Sequence, residues 1–158
     1  MTRFFTIERP GPGTLSTMGR PVGDERLPSE MSRLAAAGVG GLVSLLTHDE
    51  AARLGLANEP LAAADAGIEY LSVPIPDATV PVGDLREASS WVRAMLSSDV
   101  HVIAHCRAGI GRSSMMAAAV MVDEGMSPDQ VWAAIERARG CRVPDTAEQR
   151  AWLSGRHT

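Results

Sequence analysis

Apolar residues along the chain fall into short continuous runs that alternate with longer stretches of helical spacing. Residues 2–8 and 14–18 read as two short strands around the turn cluster Pro10-Gly-Pro-Gly13. Ser29 to Ala37 predicts a helix with Leu34 and the alanines facing inward. Gly40 and Gly41 then precede a short buried strand, Leu42 to Leu46. Two short helices follow, Asp49 to Leu54 and Pro60 to Ala66, the second closed by Gly67 as a C-terminal cap. Ile68 to Val73 is a further strand. From Asp84 to Leu96, the spacing of Leu85, Ala88, Val92 and Leu96 predicts an amphipathic helix. Val100 to Ala104 is an apolar strand. The stretch Arg112 to Glu124 is apolar on nearly every face, which predicts a central buried helix. Ser127-Pro-Asp-Gln130 is a capping box opening a helix to about Arg139. Asp145-Thr-Ala-Glu148 fits a second box before a last helix, and Asp84-Leu-Arg-Glu87 fits a third. Strands alternating with helices predict an α/β fold with a central, mostly parallel sheet flanked by helices.

Composition narrows this picture. At 158 residues the chain reads as one domain, 1–158, with room for a proper core, and 45% hydrophobic content argues against disorder. No apolar run approaches the ~20 residues of a membrane span, so no membrane partner is expected. The net charge of −4 and the lack of a basic groove argue against nucleic acid. All 15 basic residues are Arg. That removes Lys as a Schiff base or phosphate ligand and, with the abundant Ala, suggests a high-GC bacterial gene. The start lacks the long apolar stretch of a signal peptide, and two cysteines, Cys106 and Cys141, fit a reducing compartment. The expected location is the cytoplasm. No cofactor is called for, and the oligomeric state stays open.

The most informative stretch is residues 105–113, His-Cys-Arg-Ala-Gly-Ile-Gly-Arg-Ser. It lies between the apolar strand and the buried helix, so it reads as strand, tight loop, helix. Such a loop aims backbone N–H groups at one spot, and the helix N-terminus adds positive potential there. The spot suits a phosphate-like anion, and the same field favours the thiolate of Cys106 as a nucleophile. Arg112 adds a planar fork for two oxygens of a tetrahedral phosphate. Arg107, Ala108, Gly109, Ile110 and Gly111 form the rest of the candidate cradle. His101 lies four residues before His105, roughly 13 Å along a strand, which is too far for a shared metal. No metal site is expected.

The pattern His-Cys-x5-Arg-Ser resembles the signature of the cysteine-dependent protein tyrosine and dual-specificity phosphatases, and the chain length suits the small dual-specificity type. The resemblance implies a hydrolase acting through a cysteinyl-phosphate intermediate. Its general acid should sit on a loop after a strand. Residues 74–81, Pro-Ile-Pro-Asp-Ala-Thr-Val-Pro, resemble the family's acid loop, with Ile75 where the tryptophan stands, and this places the acid on Asp77. Asp84 is the rival acid, better explained as a helix cap. By resemblance His105 supports the loop from the other face of the strand. Ser113 either stabilises the departing thiolate or adds polarity to the first helical turn. Residues 145–149, Asp-Thr-Ala-Glu-Gln, resemble the glutamine loop of larger relatives. There Asp145 either positions the hydrolytic water or caps the helix, and Gln149 either touches the site or faces solvent. Cys141 reads as an incidental thiol.

The function implied is a phosphoprotein phosphatase acting on phosphotyrosine, with phosphoserine and phosphothreonine admitted by a shallower pocket. The partner is then a phosphorylated protein or a small phosphate monoester. The alternative is a phosphoinositide or soluble inositol phosphate phosphatase, disfavoured because Ile110 stands where a second basic loop residue would be. An inactive phosphopeptide-binding module and a rhodanese-like sulfur transferase are weaker readings, since the parts for phosphate turnover are all present.

Overall fold

The computed structural model describes residues 2–156. Its strands are β1 (Phe4–Thr6), β2 (Thr14–Met18), β3 (Val39–Ser44), β4 (Glu69–Ser72) and β5 (His101–His105). They form one sheet in the order β1-β2-β5-β3-β4, antiparallel between β1 and β2 and parallel elsewhere. The helices are α1 (Leu27–Ala36), α2 (His48–Arg53), α3 (Glu59–Asp65), α4 (Arg86–Ser97), α5 (Arg112–Asp123), α6 (Pro128–Arg139) and α7 (Ala147–Gly155). The central, mostly parallel sheet flanked by helices is therefore the architecture the alternating pattern predicted.

Strand β5 divides the core by its two-residue period. Val102, Ala104 and then Cys106 face one cluster with α4, α5, α6 and α7. Ile103 faces the other, with α1 and α3. Helix α5 is buried from Arg112 to Val122, as its lack of a polar face required. Its N-terminus abuts the loop leaving the middle strand of the sheet. Ligands of open α/β sheets bind at such carboxyl ends.

Several boundaries moved for physical reasons. β3 begins at Val39 rather than Leu42 and carries a register shift between Val39 and Gly41. The two glycines are inside the strand because neighbours occupy their side-chain space. A Cβ on Gly40 would lie 2.8 Å from Val100 Cγ1, and one on Gly41 2.9 Å from Met95 Sδ. The box expected at Asp84 is absent: α4 starts one residue later, with Leu85 as N-cap at φ 60° and no capping side chain. The last box is displaced by one residue. Thr146 caps α7 and exchanges bonds with Gln149, so Asp145 is not the cap. The box at Ser127 and Gln130 stands where predicted.

Candidate active site

The loop from Cys106 to Gly111 is held from behind by its carbonyls. Arg107 O accepts from the Arg20 N–H (3.1 Å), while Gly109 O and Ala108 O accept from the Arg139 guanidinium (3.2 and 3.4 Å). In a trans peptide the N–H points opposite to the C=O. The N–H groups of Ala108, Gly109 and Ile110 thus turn to the other side, toward Cys106. The Gly109 N–H donates to Cys106 Sγ at 3.3 Å. Gly109 is at φ +74°, and a Cβ there would lie 2.6 Å from both Gly19 N and Met18 C. The loop lies directly on the chain leaving β2. Arg139 itself stacks on Phe5, 4.3 Å from the ring centroid.

Cys106 Sγ is also 3.3 Å from Ser113 Oγ, within hydrogen-bonding distance. Helix α5 has Gly111 as N-cap and no capping side chain, which leaves its first N–H groups for an anion. Arg112, the first residue of α5, is 1% exposed and points into the same space. Its Nη1 donates to Glu50 Oε1 (2.6 Å) and to Ile75 O (2.8 Å), and its Nη2 donates to Glu50 Oε2 (3.0 Å). The Arg112 hydrogen bond, working against burial, holds the Glu50 carboxyl at about 2. Burial opposes the charge on Arg112, but Glu50, Cys106 and Asp77 outweigh it and push its pKa up.

Asp77 Oδ1 is 3.3 Å from Arg112 Nη2, and the Asp77 side chain remains 57% exposed. Ile75, in the position of the family's tryptophan, is buried in the main core while its carbonyl binds Arg112. Asp84 turns to Arg86, accepting from its backbone N–H (3.0 Å) and its Nε (3.1 Å). Asp145 approaches the loop from the segment before α7: its Oδ2 would crowd a Cβ placed on Gly111. Partial burial and the nearby Asp77 push the Asp145 pKa up, against the pull of Arg112. Gln149 is buried rather than solvent-facing. Arg107 and Ala108 are exposed at the mouth, and Ile110 is half-buried. Cys141 is exposed, beside Ile110 and Arg142 along a cavity of ≈ 710 Å³.

His105 points away from Cys106, to the other face of β5. Its Nε2 lies 2.7 Å from Glu59 Oε2, both side chains fully buried, and its Nδ1 is 3.3 Å from Cys106 O. Tyr70 donates to the other oxygen of Glu59 at 3.1 Å. His101 binds Ser16 Oγ at 2.8 Å.

Residues 16–126 match the family model described as "Tc-R-P: Polymorphic toxin system, DSP-PTPase phosphatase". The chain belongs to the dual-specificity and tyrosine phosphatase family. Similar solved structures share the fold. A kinase-associated phosphatase with its catalytic-site cysteine replaced by serine superposes at a TM-score of 0.87 and 18% identity, over 96% of this chain and 92% of that one. The active form of Tk-PTP gives 0.75 and 25%, over 95% and 94%. PTPMT1 in complex with PI(5)P gives 0.75 and 22%, over 90% and 89%. No curated protein sequence matches the chain. The enzyme is a protein tyrosine or dual-specificity phosphatase.

In this phosphatase three parts of the site have no counterpart in the sequence reading. Glu50 carries a visible signal, because Thr47-His-Asp-Glu50 is a capping box, and the box forms. Nothing local couples it to Arg112, 62 residues away. Glu59 opens α3 but reaches His105 on the sheet face that α3 covers. Arg139, at the end of α6, braces a loop 30 residues earlier. Each is a long-range pairing that periodicity does not encode.

Proposed function

We propose that this phosphatase hydrolyses phosphate monoesters in two displacements at Cys106. The thiolate sulfur attacks phosphorus, an S–P bond forms, and the ester P–O bond breaks. Asp77 gives its proton to the leaving oxygen. Arg112 holds two equatorial oxygens with its fork, and the loop N–H groups take the rest of the charge. Water then attacks the cysteinyl-phosphate, Asp77 takes back a proton, and the S–P bond breaks. Ser113 Oγ hydrogen-bonds the departing thiolate. Asp145, whose carboxyl lies against Gly111, positions the water. The observation that carries this reading is the cradle itself: Cys106 Sγ receives the Gly109 N–H beside the buried, Glu50-clamped Arg112.

The substrate is a phosphorylated protein side chain, phosphotyrosine together with phosphoserine and phosphothreonine, in a bacterial cytoplasm. No helix among the described residues is long and apolar enough to cross a membrane. The absence of Lys and the two free cysteines support the bacterial and reducing setting. The likeness to PTPMT1 in complex with PI(5)P keeps phosphoinositides and soluble inositol phosphates as the second reading. Its support here is one exposed loop base, Arg107, without a second at Ile110. Ranking phosphotyrosine, phosphoserine, phosphothreonine and inositol phosphate substrates by kcat/KM separates the two.

Asp77→Asn should lower kcat by about 10²–10⁴-fold on poor leaving groups, with little change in substrate binding. The loss should be smallest on an activated aryl phosphate, and the alkaline limb of the pH–rate profile should vanish. An intact limb in Asp77→Asn and a lost one in Asp84→Asn would move the acid to Asp84.

A further inference from the structure

Gln149 is fully buried at the start of α7, between the acid loop and the phosphate-binding loop. Its Oε1 accepts from the Thr146 N–H at 3.3 Å, and its Nε2 donates to Thr79 O at 3.1 Å. An N–H can only donate and a carbonyl can only accept, so the two partners fix which end of the amide is which. Thr79 lies two residues after Asp77. Its own N–H and Oγ1 both return to Pro76 O (3.2 and 2.6 Å), which makes residues 76–79 a closed turn. A pull on the Thr79 carbonyl is therefore a pull on Asp77. The same Gln149 also touches the other loop: a Cβ on Gly111 would lie 3.0 Å from Gln149 Oε1. One rigid amide thus gauges the gap between the acid and the thiol.

We propose that Gln149 is a positioning residue that holds the acid loop over Cys106 through Thr79 and acts on the reaction only through Asp77. This rests on Asp77 being the acid. Glu and Gln both serve at the third position of a capping box, so Gln149→Glu keeps the bond from the Thr146 N–H. It opposes a carboxylate to the Thr79 carbonyl and loses the tether. Gln149→Met removes both bonds without adding charge, and Thr146 Oγ1 still accepts from the backbone N–H of residue 149 (3.1 Å).

The experiment measures kcat for a series of aryl and alkyl phosphates in wild type, both variants, Asp77→Asn, and Asp77→Asn with Gln149→Met, alongside thermal melts. A displaced acid forfeits part of the ~10²–10⁴-fold that proton transfer supplies. Both Gln149 variants should lose about tenfold or more on alkyl phosphates and less than about threefold on an activated aryl phosphate. Both variants should stay folded at the assay temperature but melt below wild type, Gln149→Glu the lower of the two because its carboxylate is buried against a carbonyl. In the Asp77→Asn background Gln149→Met should cost nothing further, because two residues acting as one unit are not additive. An equal loss on every leaving group, a loss confined to Gln149→Glu, or a full additional loss in the Asp77→Asn background would overturn the proposal. Should Asp77→Asn leave alkyl phosphate turnover untouched, the acid assignment itself has failed, and the tether role goes with it.

Discussion

At the scale of single residues the site is organised by Arg112. A buried guanidinium is costly unless each N–H finds an acceptor, and Glu50 and Ile75 O supply three bonds. The clamp leaves an edge of the fork toward Asp77 and the anion space. Lys at this position could hold neither Glu50 bidentately nor two phosphate oxygens in one plane. The pair also has a pH signature. The Glu50 carboxyl is held at about 2, below its ordinary 4.5, chiefly by the Arg112 hydrogen bond. A depressed folded-state pKa gives stability that is present above 4.5 and lost as pH falls toward 2, where the unfolded chain binds the extra proton. Glu50→Gln should therefore flatten the acid loss of stability between those values, as read by denaturant melts at stepped pH. An unchanged acid profile would mean that the pair does not contribute to folding. That Cys106, Arg112 and Ser113 come together was legible in the sequence, because a strand, a short loop and a helix at that spacing bring them to one point. Glu50 and Glu59 were not, since a carboxylate on a short helix looks the same whether it faces solvent or a buried base.

At the scale of elements, the loop from Cys106 to Gly111 is a strand-to-helix connection clamped from two sides, by the chain after β2 and by Arg139 at the end of α6. Gly109 is where the clamp leaves no room, since its φ is positive and backbone atoms occupy the Cβ site. Gly109→Ala should cut kcat/KM by at least about tenfold, because the left-handed conformation costs an Ala roughly 1–2 kcal/mol and no rotamer moves the facing backbone. Wild-type turnover in that variant would show that the loop is looser than the packing here. The helices and strands were readable from periodicity almost throughout, and the misreadings fall at their ends. Gly40 and Gly41 look like punctuation but sit in β3, because Met95 and Val100 fill their side-chain space. Asp84 and Asp145 look like caps, yet α4 and α7 start one residue later. In α7 that shift frees Asp145 to approach Gly111 and turns Gln149 inward.

At the scale of the whole molecule, the sheet separates two groups of polar residues. Cys106, Arg112, Asp77 and Asp145 gather above its carboxyl edge, on the side of α5 and α7. The buried trio Tyr70, Glu59 and His105 lies beneath and reaches the loop only through the Cys106 carbonyl. Family membership follows from the match over residues 16–126 and fits this layout. The central claim is that phosphate passes through Cys106. It is tested most directly by mixing enzyme with an activated aryl phosphate, quenching in acid within the first turnovers, and sequencing the peptides by mass spectrometry. The account predicts a phosphate adduct on Cys106, formed with a burst of aryl alcohol and absent in Cys106→Ser, which should also show no turnover. Full turnover with no adduct at any time, or turnover surviving in Cys106→Ser, would contradict it.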